Sequence, residues 1–345
     1  MRLVFIIIFV LFSINYAQSA DVLFLAKKDI DKIQYQAQVN QLIKQMDSQS
    51  IAHSLESLTH FPDRSANTTY GMEAAYWIKS QIEIMIKESG RQDVSIFLVT
   101  TKNVKQSSIV VKVGHSIEPG IVIGAHVDTY KKYDPETSKE MCKDMQDPKI
   151  KKLCEDTLSG NKPGADDDGS GSSVTLEVAR MLINSGMQFK KPIYLIWYAD
   201  EEDGMLGSQS VVEDFQKRNI PIKAVMQLDQ VGFSYHNDST IWLVDNYVDT
   251  NLTAYIADLI REYIQQPIKY TSCRGPCSDH VSWNAQGIPV VFPFESEMAL
   301  GRGNPYVHSP LDTIDKLSLA HMADFAKLAI AFAVELAEPV NASHK

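Results

Sequence analysis

In GIVIGAHVD an apolar run ends on His126 and Asp128; PIYLIWYAD is followed by Glu201 and Glu202; AVMQLD ends on Asp229; and Asp166, Asp167 and Asp168 fill the turn GADDDGSG. Any one of these alone reads as a cap or a solvated acid, and Asp167 has the position of a helix N-terminal carboxylate. Together they resist that reading. Carboxylates gathered in one place repel one another and need a cation. Histidine among carboxylates, without cysteine, suits zinc, whereas an all-oxygen set would suit calcium or magnesium. So many donors fit two zinc ions better than one. A second imidazole is then required, and His308 in the Pro-containing NPYVHSPLDT supplies it. His115, His236, His280 and His321 are weaker candidates, lying outside strand ends or on helical faces.

Such donors need a scaffold that brings strand ends together. Short β-branched runs occur at 94–99, 107–113, 120–126, 192–199, 224–229, 240–245 and 288–294. Several are apolar almost throughout, as strands covered on both faces must be. Helical patterns alternate with them at 170–185, 208–218, 251–265 and 318–336, and the stretch 51–88 adds outer helices ended by Gly90. The alternation predicts a single-domain α/β/α sandwich with a mostly parallel, mixed central sheet over residues 47–338. Ligands of such sheets sit at the carboxyl edges of the strands, where the unusual polar residues fall. Two segments depart from the pattern. Residues 20–46 are polar and weakly periodic, an N-terminal extension or propeptide. Residues 131–163 carry eight Lys, seven Asp or Glu and two Cys, an inserted surface loop beside a strand end.

The 345 residues hold 33 Lys+Arg against 43 Asp+Glu, with 44% hydrophobic and 22% charged, a globular composition that excludes disordered and collagen-like classes. A net charge of −10 argues against nucleic acid as a partner. Met1 and Arg2 precede the apolar run LVFIIIFVLF, and SINYAQSA follows, so residues 1–19 read as a signal peptide cleaved after Ser19 or Ala20. The run is shorter than the roughly 20 residues that span a bilayer, so the protein is expected to be secreted or periplasmic, without a membrane partner after cleavage. Four cysteines in an exported chain suggest two disulfides, of which the local pairs Cys142–Cys154 and Cys273–Cys277 are the simplest of three connectivities. Serine nucleophile chemistry gains no support, since no GxSxG is present.

IGAHVDT, GADDDGSG, YADEEDGMLGS, QLDQ, SDHVSW and NPYVHSPLDT, in this order between Asp47 and Leu336, resemble the zinc-dependent M28 aminopeptidase family. The resemblance is strongest to its secreted bacterial leucyl members with two co-catalytic zincs, and CRGPCSDH is similar to a disulfide-bearing motif of that subgroup. It implies that Asp167 bridges two Zn2+, that His126 and Asp229 complete one site, and that Glu202 and His308 complete the other. Glu201 would be the general base for the zinc-held hydroxide, and Asp128 would orient His126. The resemblance also implies a cis peptide between Asp167 and Asp168. The expected substrates are peptides with a free N-terminus, and a monomer is expected.

The sequence leaves the family pattern in places. Secreted leucyl members carry a tyrosine for the oxyanion where this chain has Gly275. Gln230 replaces an apolar residue and Asp203 a neutral one. Leu243, Phe292, Phe294 and Met298 still suggest an apolar pocket wall, so the expected preference is neutral and fairly broad, with basic residues as the alternative. Rival functions on this fold are glutaminyl cyclase acyl transfer, usually with one zinc, and a carboxypeptidase or dipeptidase, which would need a base such as Arg274 or Arg302 for the substrate carboxylate. A binding ectodomain that has lost its ligands is the rival from another class, and this chain has lost none.

Overall fold

A computed structural model describes residues 32–340; the expected signal peptide, residues 1–19, lies outside the described residues. Six strands form the central sheet: β1 (Val94–Thr100), β2 (Ser107–Val113), β3 (Gly120–His126), β4 (Ile193–Tyr198), β5 (Ile222–Gln227) and β8 (Val290–Val291). Their order is β1-β2-β4-β3-β5-β8. β1, β2 and β4 pair antiparallel, while β4, β3, β5 and β8 run parallel. The expected mixed, mostly parallel α/β sheet is therefore present. β3 and β4 are buried at every residue, so their sequences read as unbroken apolar runs.

Alternate residues of each strand feed two cores. Ile121, Ile123, Leu195, Trp197 and Met226 face one side, and Val122, Ile196, Tyr198 and Val225 the other. The larger core lies under α1 (Gln36–Ile43), α2 (Ser48–Thr59), α3 (Thr69–Ser89), α6 (Gly169–Asn184) and α10 (Leu319–Ala337). α6 packs against α2, α3, α10 and β3, and its small residues Gly169, Ser170, Gly171, Ser172 and Ser173 let it lie buried among them. The opposite face is covered by α7 (Leu206–Lys217) and the short α9 (His280–Asn284), with Phe215 and Trp283 meeting edge to face at 5.4 Å. Within the stretch 20–46, α1 buries Val39 and Leu42 against the main core, and Glu335 of α10 accepts from the Gln34 amide at 2.8 Å.

Residues 131–163 are not an irregular loop but a helical hairpin of α4 (Pro135–Met141) and α5 (Pro148–Ser159). Each helix begins on an Asp-Pro pair, with Asp134 and Asp147 accepting the first amides and proline at the first position, where no amide hydrogen is missed. Cys142 and Cys154 join the two helices. A second sheet, order β7-β6-β9, is built from β6 (Ile241–Val244), β7 (Ile268–Thr271) and β9 (Pro293–Phe294). The run 240–245 thus leaves the central sheet, and the run 288–294 is divided between the two. α8 (Thr250–Leu259) connects β6 to β7 and continues into a π-helical turn. No helix among the described residues is long and apolar enough to cross a membrane.

One close approach shapes the end of β4. A Cβ on Gly207 would lie 1.8 Å from the Ala199 carbonyl oxygen, so only glycine lets α7 start against the strand and turn residues 199–206 back over the sheet edge. Gly207→Ala is expected to lower the unfolding free energy by about 1–3 kcal/mol, read as a shifted urea midpoint; an unshifted midpoint would show that the turn has slack.

Candidate metal centre

β4, β3 and β5 are consecutive parallel strands, so their carboxyl ends share one edge of the sheet. His126 is the last residue of β3, Glu201 and Glu202 follow β4, and Asp229 follows β5. Asp167 comes from the turn before α6, and His308 from the loop before α10. Asp167 stands between the two imidazoles. Its Oδ1 is 3.1 Å from His126 Nε2, and its Oδ2 is 2.9 Å from His308 Nε2. Asp229 Oδ1 lies 3.6 Å from His126 Nε2, and Glu202 Oε2 lies 3.2 Å from His308 Nε2. Two donor sets result, His126–Asp167–Asp229 and Asp167–Glu202–His308, each with its ligand atoms within 4.8 Å of one another.

Backbone and side-chain hydrogen bonds fix these donors. Asp128 accepts from the amides of Glu201 and Glu202 at 3.1 and 3.2 Å, and its carbonyl and carboxylate oxygens lie 3.1 and 3.4 Å from His126 Nδ1. Asp128 therefore holds the imidazole and the two glutamates at once, leaving Nε2 free to face Asp167. Asp168 accepts from the His126 amide at 3.0 Å, and the Asp167–Asp168 peptide is cis. Asp312 accepts from the amides of Asp166 and Asp167 at 3.0 and 3.1 Å. Ser278 Oγ donates to Asp229 Oδ2 at 2.5 Å.

The donors act strongly on one another. Burial raises Glu202 to about 7, with Asp167 adding to the shift. Burial also drives Glu201 well above the carboxylate range, reinforced by Asp279, Asp229 and Glu202. Burial opposes a charge on His308, yet its bonds to Asp167 and Glu202 carry it up to about 11. His126 is likewise buried, and Asp229, Asp128 and Asp167 hold it well above its usual range. Asp167 goes the other way, because contact with both imidazoles outweighs its burial. A divalent cation among these carboxylates would offset their charge directly. The donors fit such an ion: Glu202 Oε1 and Asp229 Oδ1 are buried with no hydrogen-bond partner, a cost that coordination would remove.

Of the expected pocket residues, Phe292 and Phe294 form a small apolar cluster with Val244, Cys273, Cys277 and Met298. Met298 Sδ lies 3.7 Å from Cys273 Sγ, and Cys273 is bonded to Cys277. Leu243 instead points into the main core. Gln230 adopts φ 58° with its amide 3.3 Å from Asp168, and an added Cβ on Gly275 would meet nothing within 4 Å. In SDHVSW, Asp279 and His280 are fully buried; burial pushes His280 down to about 3 and Asp279 up to about 8.

Peptidase family M28 matches residues 108–333, which contain every donor named above. The chain belongs to peptidase family M28. Among curated relatives, leucine aminopeptidase 1 of Colletotrichum graminicola is 32% identical over 316 residues, covering 89% of this chain and 73% of the relative. Among solved structures, the Legionella pneumophila LapA aminopeptidase superposes with a TM-score of 0.80 at 39% identity, covering 99% of this chain and 80% of that one. LapB from Legionella pneumophila gives 0.79 at 39% identity, covering 95% and 83%. This M28 chain is a metallo-aminopeptidase, a hydrolase whose family metal is zinc.

Three residues of this M28 peptidase carry the site without having stood out in the sequence: Asp312, Tyr130 and Arg64. Asp312 lies in a quoted motif but looks like an ordinary turn acid, and nothing in HFPDRS marks its arginine. Arg64 is 0% exposed. Its guanidinium donates to the carbonyls of Val127, Pro163 and Gly164 at 2.9, 2.5 and 2.8 Å, and its amide to Thr129 Oγ1 at 2.9 Å. Burial disfavours its charge, while Asp312, Asp168, Asp128 and Asp167 favour it. It is a fixed cation that ties together the loops behind His126 and Asp167. Arg64→Met would leave those carbonyls unpaired, and the expected loss is about 3 kcal/mol or more in unfolding free energy by denaturant titration; a loss below about 1 kcal/mol would mean that water replaces the guanidinium.

Proposed function

We propose that this chain is an exported two-zinc aminopeptidase that removes the N-terminal residue from peptides. The observation that supports this most is the placement of Asp167, with one carboxylate oxygen toward each imidazole. In this reading His126, Asp167 and Asp229 hold one ion, and Asp167, Glu202 and His308 hold the other. Two zinc ions would supply Lewis acidity that polarises the scissile carbonyl and makes an attacking water more acidic. Glu201 is the general base. Its carboxylate lies within electrostatic reach of Asp229, Glu202 and Asp279, and its burial favours taking up a proton. It accepts a proton from the attacking water as the C–O bond forms, then passes it to the departing amine as the C–N bond breaks. Asp128 is a positioning residue, keeping His126 in the tautomer that offers Nε2.

Phe292, Phe294, Met298 and the Cys273–Cys277 bridge form the wall proposed to receive the first side chain. This favours neutral residues. Gly275 brings no group to an oxyanion. The carboxypeptidase reading loses ground because Arg302 faces Glu297 at 3.5 Å and Arg274 is exposed. The cyclase reading is disfavoured by the complete second donor set.

The expected outcome is release of free amino acid from unblocked peptides, none from N-acetylated ones, loss of activity on chelation and recovery with zinc. Glu201→Gln should lower kcat by about 10^2- to 10^4-fold while zinc content per chain stays that of the wild type. Cleavage of acetylated peptides, or cyclisation of an N-terminal glutamine in place of hydrolysis, would overturn the assignment.

A further inference from the structure

The two imidazoles of the centre are held by different means. His126 is fully buried and has Asp128 at its Nδ1. The His308 side chain is 47% exposed, its backbone sits at φ 61°, and among the described residues nothing is bonded to its Nδ1. What fixes its ring apart from Asp167 and Glu202 is Tyr130, stacked on it with centroids 4.5 Å apart and planes 18° from parallel.

Tyr130 is itself anchored. Its carbonyl accepts from Ser65 Oγ at 3.2 Å, and its hydroxyl lies within electrostatic reach of Tyr133, whose amide donates to the Leu158 carbonyl of α5 at 3.0 Å. The chain then enters the hairpin stapled by Cys142 and Cys154. The far end of that hairpin returns to the same place, since a Cβ on Gly160 would lie 2.4 Å from Pro310, two residues beyond His308. The inserted hairpin therefore braces the His308 loop at Pro310 and the His308 ring through Tyr130.

We infer that Tyr130 is a positioning residue for the second metal: its ring presses the His308 imidazole into the orientation in which Nε2 faces Asp167 and Glu202. This rests on the two-metal reading above. A stack constrains the tilt of a ring and leaves rotation within its plane, so it replaces only part of what a carboxylate at Nδ1 would do. The His308 side is then the more weakly held of the two ions.

The test is a chelator titration of the zinc-loaded enzyme, counting ions per chain for wild type, Tyr130→Phe and Tyr130→Leu, together with the His308 ring-proton shift of the metal-free protein. Wild type and Tyr130→Phe should give up one ion before the other at matching chelator concentrations and show a shielded His308 ring. Tyr130→Leu should lose the weaker ion at about 10-fold lower chelator or less, keep the tighter one, and lose the shielding. Unchanged retention of both ions by Tyr130→Leu overturns the inference and leaves the two-metal reading intact. Loss of the ion in Tyr130→Phe also overturns it, by assigning the effect to the hydroxyl. Should Tyr130→Leu not fold, an unshielded His308 ring in the wild type decides against the stack. A wild type holding fewer than two ions overturns the two-metal reading, and the inference with it.

Discussion

Mutual repulsion among buried carboxylates is the constraint on which the rest of this molecule depends. Asp128, Asp167, Glu201, Glu202 and Asp229 meet at one edge of the sheet, where desolvation and neighbouring acids already push Glu201 and Glu202 toward the protonated form. The fold answers with directed hydrogen bonds. Backbone amides of the 201–202 turn and the 166–167 turn point at Asp128 and Asp312, and Arg64 lies beneath them as a permanent cation. These contacts fix where each carboxylate sits. They leave two donor sets close together around Asp167, with Glu202 Oε1 and Asp229 Oδ1 unpaired, which is what a divalent cation would satisfy.

The parallel strand order explains why the donors converge without a long search through space. With β4, β3 and β5 side by side, three sequence-distant strand ends lie within a few residues' width, and the turn before α6 enters between them. α6 can enter only because its first turn is made of glycine and serine, which bring its backbone close to β3 and to the Leu228 carbonyl just beyond β5.

Much of this is legible in the sequence because burial on both faces leaves a distinctive mark: short, β-branched apolar runs such as IVIGAH and IYLIWY fit strands covered on both sides. The donors were legible for the complementary reason, since polar residues abutting such strands are conspicuous. The helices of the hairpin 131–163 are hard to see in the sequence because they bury few residues and their hydrophobic pattern is swamped by lysines, although Asp134-Pro135 and Asp147-Pro148 are local start signals. The division of 288–294 between two sheets was invisible too, because the switch depends on which partner each half finds. Arg64 and Tyr130 act through tertiary placement alone, and their neighbours in sequence say nothing of it.

That division has a mechanical meaning. β8 belongs to the sheet whose edge carries the metal donors, β9 to the sheet beside the apolar wall, and Phe292 is the lone residue between them. On the proposed reading, the sheet that positions the donors and the sheet beside the wall are tied together by two short strands with one residue between them. On that reading, side chains of different size would alter how well the wall is filled while the donors keep their places in the neighbouring sheet.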